Sequence, residues 1–161
     1  MALNAYLRLK GQKQGEIKGS VTQKGREGRI MVIAVNHGLL SPRNAASGLP
    51  TGKHQHRQFV ITKELDKSSP LLYTMLVTNE NLVDWDLQFW QTAVTGTEVN
   101  HYTVKLTNAN ITSIEFRMPN NKDPQVMKLA EYEEVAFTYQ KIQWTWNEGG
   151  ITASDDQPTF T

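Results

Sequence analysis

Four small constellations in the 161-residue chain carry side chains able to do chemistry. His54 and His56 stand two apart, and residues at i and i+2 share one face of an extended strand, so the pair could hold a metal. No Asp or Glu lies nearby in sequence to complete a ligand shell, and Lys53 and Arg57 flank the pair with positive charge. The two are therefore expected to be polar loop histidines, with no metal. Asp84 and Asp86 repeat the same spacing, and paired carboxylates can share acid and base roles. They alternate with Val83 and Trp85, which points instead to the solvated face of a strand. Ser68 and Ser69 contain a hydroxyl but no G-x-S-x-G elbow, and Ser69 followed by Pro70 reads as the capped start of a helix. No phosphate-binding glycine loop is present. Trp144 and Trp146 alternate with Gln143 and Thr145; packing in a β core is favoured over a sugar- or base-binding strip. No catalytic residue and no cofactor is expected.

These groups must be positioned by a chain that reads as mainly β. Leu3, Ala5, Leu7 and Leu9 alternate with polar residues and predict a first strand. Ile30–Val35 is continuously apolar, which suits a strand covered on both faces. Phe59 and Ile61 alternate with Gln58, Val60 and Thr62. One helix is predicted over Pro70–Val77, with Ser69 as its structural cap. Leu82–Thr92 alternates again: Val83, Trp85, Leu87 and Phe89 on one face, Asp84, Asp86 and Gln88 on the other. Trp90 falls on that polar face, and an aromatic there is a candidate for a subunit contact. Thr95-Gly96-Thr97 marks a hairpin. Two later strands each change phase once. Tyr102, Val104 and Leu106 give way to Ala109 and Ile111 on the opposite parity; Val135, Phe137 and Tyr139 give way to Ile142, Trp144 and Trp146. A phase slip in each of two long strands is what a closing sheet needs. The expected fold is β-barrel-like, two packed antiparallel sheets with one short α-helix and long loops. Residues 1–148 form a single domain, and the tail from Gly149 to Thr161 is expected to be mobile.

Composition narrows the function. The chain has 17 basic and 16 acidic residues and a net charge of +1, which is too balanced for a general nucleic-acid binder. It has no cysteine, so disulfides and thiolate metal sites are excluded. No run approaches the length of a membrane-spanning helix. The amino-terminal MALNAYLRLKG lacks a basic leader and an apolar core, so it reads as a strand and not as a signal peptide. Asn36–Arg57 has no hydrophobic period and contains three glycines and two prolines. Long loops of this kind are commonly functional or disordered.

The wording of several segments resembles one family. Lys53–Leu72, KHQHRQFVITKELDKSSPLL, is similar to a stretch of the Hcp proteins, the ring-forming tube proteins of the type VI secretion system. So are Ile17–Val21 with Gly25–Ile30, Pro42-Arg43, Pro50–Lys53, Ala136–Trp146, and Gly149–Asp156. Two departures stand out: Gln157 follows the Asp155-Asp156 pair where Trp is frequent, and Arg57 follows His56 where Pro is frequent. The resemblance implies hexameric rings that stack into a tube and carry effector proteins through the lumen. It implies a contractile sheath outside and a VgrG spike at the tip. It also implies assembly in the bacterial cytoplasm and export without a cleavable signal peptide. The Hcp loop corresponding to Leu39–Lys53 is an extended arm, which makes Leu39, Leu40, Pro42, Arg43, Leu49, Pro50 and Lys53 candidates for contacts between rings. Asn36, at the polar end of the apolar run, is a candidate for the lumen wall. Two other classes stand beside this one: a small-ligand carrier with an aromatic-lined barrel, and a hydrolase using the strand-face carboxylates.

Overall fold

The computed structural model describes residues 1–157. Thirteen strands and one helix follow in order: β1 Ala5–Gly11, β2 Gly15–Ile17, β3 Ile30–Val32, β4 Ala34–Asn36, β5 Leu39–Leu40, β6 Gln55–His56, β7 Phe59–Glu64, α1 Ser69–Val77, β8 Leu82–Thr92, β9 Glu98–Thr107, β10 Asn110–Arg117, β11 Tyr132–Thr138, β12 Lys141–Trp146 and β13 Ile151–Asp156. One sheet runs β13-β12-β9-β8-β1-β2, with β3 also on β1. A second runs β10-β11-β7-β4. All these pairings are antiparallel. The mainly β, barrel-like architecture is the one the sequence patterning predicts.

Both phase slips are corners where the chain leaves one sheet for the other. Between β9 and β10 the turn is made by Asn108, in the left-handed region at φ 51°, a conformation Asn tolerates better than most residues. Between β11 and β12 the chain crosses at Tyr139-Gln140, and Gln140 N–H donates to the Thr107 carbonyl of the first corner at 3.0 Å. The two corners thus form one seam of the barrel.

The opposite seam corrects the reading of Ile30–Val35. That run is not one doubly covered strand. Ile30 and Val32 are buried on β1, whereas Ala34–Asn36 pairs with β7 in the other sheet. Ile33 sits at the crossover, 44% exposed, with its N–H donating to the Thr62 carbonyl. A continuous apolar run here reflects a change of sheet, so successive residues face different surroundings.

Between the sheets the core is filled by aromatics. The Trp85 ring meets Phe59 and Phe137 edge to face, with centroids 4.9 and 5.5 Å apart, a favourable geometry for such rings. Leu7, Leu9, Ile61, Leu87, Val135 and Ile142 surround them, and Leu72 and Met75 of α1 join the same core.

Three further expectations change. Val83 is 51% exposed, because the β1–β8 register shifts between Lys10 and Gly11 and turns Leu82 inward in its place. Asp86 is buried rather than solvated: residues 18–29 fold over that face, and Arg29 Nη1 donates to Asp86 Oδ1 at 3.1 Å. Finally, the segment after Gly149 is not a free tail as far as Asp156. It forms β13, in register on β12 from Ile151↔Trp146 to Asp155↔Ile142 and Asp156↔Lys141. The last four residues of that expected tail lie outside the described residues.

Candidate functional site

The helix start is built differently from a Ser69 cap. The N-cap residue is Ser68, and its side chain makes no capping bond to the helix. Its N–H donates to Asp66 Oδ1 at 2.9 Å, and its hydroxyl bonds the same oxygen. Ser69 is the first helical residue; its Oγ accepts from Asp66 N–H at 3.2 Å and from Lys63 Nζ at 3.0 Å. Lys63 shares strand parity with Phe59 and Ile61, so it points into the core, and Ser69 belongs to the shell that makes this tolerable.

The paired carboxylates are each held by their own cation. Arg8 Nε donates to Asp84 Oδ2 at 3.0 Å, and Asp86 has Arg29. No substrate-facing pair results. Trp90 also finds partners within the chain. Its ring lies 4.2 Å from the Arg26 guanidinium, which stacks over Tyr6 as well at 4.8 Å. Trp144 packs partly buried against the core, and Trp146 is 41% exposed beside His101.

The long segment after β4 is an arm with its own internal order. β5 pairs with β6 at its base. Farther out, Arg43 and Pro50 are bridged, and the tip turns at Asn44–Gly48, where Asn44 Oδ1 accepts from the N–H groups of Ala46 and Ser47. Asn folding back on its own backbone is a common way to make such a turn. Leu39, Leu40 and Leu49 are 46%, 45% and 65% exposed. Arg43 and Lys53 are exposed and Pro42 half-buried. Asn36, at the end of β4, is exposed.

The root of the arm is fastened to the β11–β13 region by a polar cluster that the sequence did not announce. Tyr139, 3% exposed, has its hydroxyl 2.7 Å from His37 Nε2 and 2.8 Å from His56 Nδ1. On the other side of His56, Nε2 lies 2.5 Å from Asp155 Oδ2, and His54 Nε2 reaches the same oxygen at 2.6 Å. Burial, and then the charge of Asp155, push the Tyr139 hydroxyl up to about 12, so it keeps its proton at neutral pH. Burial, together with neighbouring His56, lowers His37 below its ordinary value and favours the neutral ring. Burial works to raise the Asp155 carboxyl, but the hydrogen bonds and charges of His56 and His54 outweigh it and leave it below the usual range. The carboxylate that His54 and His56 lack in local sequence thus comes from β13, 99 residues beyond His56. Only the pairing of β13 on β12 brings it there, and no local pattern encodes that.

The arm carries exposed leucines outward from a two-sheet β body, and among the described residues no catalytic constellation is assembled. The comparisons give the family. The family model described as type VI secretion system effector, Hcp, matches residues 6–146. The chain is 39% identical over 165 aligned positions to the "Major exported protein" of Pseudomonas aeruginosa, covering 97% of this chain and 96% of that one. Among solved structures, one described as Hcp protein superposes with TM-score 0.90 at 31% identity, over 98% of this chain and 99% of the other. An Hcp1 structure from E. coli EAEC 042 gives TM-score 0.85 at 34% identity, over 96% and 99%. The chain belongs to the Hcp family of type VI secretion proteins, a family of structural secretion proteins and not of enzymes.

Proposed function

We propose that this chain closes into hexameric rings that stack into the tube of a type VI secretion system, with effector proteins carried in the lumen. The observation that carries the reading is the exposed arm, Leu39–Lys53. It places three leucines in solvent on a hairpin too thin to bury them itself. Exposed leucines grouped on one projection need a partner surface, and a second copy in the next ring supplies one. Leu39, Leu40, Pro42, Arg43, Leu49, Pro50 and Lys53 are the proposed contact residues, and Asn36 the proposed lumen residue.

Ring closure is a head-to-tail contact between two different faces of the protomer. Each sheet ends in an exposed strand suited to such a contact: β13, where Ile151 is 68% exposed, and β10, where Phe116 is 53% exposed. Closing the ring would cover edges that otherwise invite uncontrolled pairing. A net charge of +1 leaves little repulsion between like protomers. With Arg26 and Tyr6 already on its ring, Trp90 is proposed only as a rim residue of the subunit contact. The sheath, the VgrG spike and the effectors are the remaining proposed partners, with assembly in the cytoplasm and export without a cleavable signal.

Electron microscopy of the purified protein tests this. Rings with an open centre are expected; a homogeneous field of single protomers would count against it.

A further inference from the structure

We propose that His54, His56 and Asp155 form a divalent-metal site of the zinc type, which clamps the root of the arm to the carboxy-terminal hairpin. Their three ligand atoms, two imidazole Nε2 and one carboxylate Oδ2, lie within 4.8 Å of one another. Two imidazoles and a carboxylate are a donor set that suits zinc and other first-row divalent cations. Bond lengths of about 2.0–2.2 Å place tetrahedral ligand atoms about 3.3 Å apart. The two nitrogens are now 2.5 and 2.6 Å from Asp155 Oδ2. Seating a cation therefore requires each nitrogen to move away from Asp155 Oδ2 by less than about 1 Å. His54 and Asp155, with side chains 46% and 34% exposed, have room to do so.

The less mobile ligand is already oriented. The side chain of His56 is 1% exposed, and its second nitrogen, Nδ1, faces the Tyr139 hydroxyl at 2.8 Å. Metal-bound histidines commonly donate this second N–H to an oxygen, which fixes the ring and the tautomer. With a metal on Nε2, His56 donates from Nδ1 to Tyr139 Oη, and Tyr139 in turn donates to His37 Nε2 at 2.7 Å. The protons on His56 Nδ1 and Tyr139 Oη then each have an acceptor. The exposed side of the site leaves a fourth position for water. A cation would also supply positive charge directly to a carboxylate that the two imidazoles otherwise meet through hydrogen bonds.

The consequence would be mechanical. His54 and His56 lie in and beside β6, at the base of the arm, and Asp155 lies in β13. A bound ion would tie the two together and restrict how the arm swings, independently of whether rings form.

The test is calorimetric titration of the full-length protein, freed of metal by chelator, with zinc chloride. One ion per chain is expected, together with a rise in unfolding temperature that chelator reverses. His54→Ala and Asp155→Asn change exposed ligands and should leave the fold intact by circular dichroism. Each should weaken binding by at least about tenfold, while Tyr139→Phe should weaken it by about 10- to 100-fold through loss of the orienting hydroxyl. His101→Gln, remote from the cluster, should change nothing. No zinc binding, or binding unaltered by both His54→Ala and Asp155→Asn, would overturn the proposal.

Discussion

Lys63 and Glu133 face each other directly across β7 and β11, with Nζ and Oε1 2.7 Å apart and both side chains 0% exposed. Each sits on the inward parity of its strand, where the neighbouring positions are Phe59 and Ile61 on one side and Val135 and Phe137 on the other. The ammonium also reaches Ser69 Oγ and the Glu64 carbonyl at 3.0 Å, and Asp66 at 3.2 Å. This knot joins the central strands of the second sheet to the start of α1.

Breaking the pair from one side should be far worse than removing both members. Lys63→Met strands the buried Glu133 carboxylate, and a loss of about 3–5 kcal/mol is expected. Lys63→Met combined with Glu133→Leu should recover most of it, because an apolar pair leaves no charge to satisfy. Urea unfolding of the three proteins checks this. Equal losses in the single and double variants would show that the pair itself is the source of stability.

Ser69→Ala should cost about 1–2 kcal/mol, through the acceptor lost to Lys63 Nζ and Asp66 N–H and not through a helix cap. The effect should shrink sharply in the Lys63→Met background, where the strongest donor to Ser69 is gone. A full cost in both backgrounds, read from the same unfolding curves, would return Ser69 to a capping role.

Gly19 has no room for a side chain. A Cβ there would lie 2.4 Å from the Arg29 carbonyl oxygen and 2.7 Å from Ile30 Cα, both backbone atoms that cannot turn aside. Gly19→Ala should cost about 1–3 kcal/mol as an overpacking change, and it should loosen the residues that bury Asp86. Thermal unfolding with hydrogen exchange of residues 18–30 would register both effects; an unchanged midpoint would show that the loop can yield.

Shortening Ser41–Gly52 to a brief glycine-containing turn should leave the protomer folded, since none of those residues belongs to either large sheet. Stacking of rings and export of the protein should fail. The variant's unfolding midpoint, measured beside an export assay, decides. Normal export would remove the arm from the account, and collapse of the fold would make it part of the core.

How much of this was written in the sequence depends on the range of the interaction. The parity changes at Ala109 and Ile142 are local, so a break in each long strand was legible, but it reads as a bend or bulge within one strand; that the chain changes sheet there depends on which strands pair. Ile30–Val35 is not legible in the same way, because a run that changes sheets has the same composition as one buried on both faces. Lys63 and Glu133 follow the inward parity of their strands, yet their charge argues for the outside; only the partner across the sheet reconciles the two. The histidine cluster was least legible. His54 and His56 were visible as a pair, but Asp155 and Tyr139 reach them through strand pairings that no window of sequence contains.

The most direct test of the central claim is the mass of the purified protein by light scattering, with and without excess chelator. A mass near six subunits in both conditions is expected, because ring closure rests on protein surfaces and the proposed ion acts only at the arm root. A clean monomer in both would contradict the assembly account.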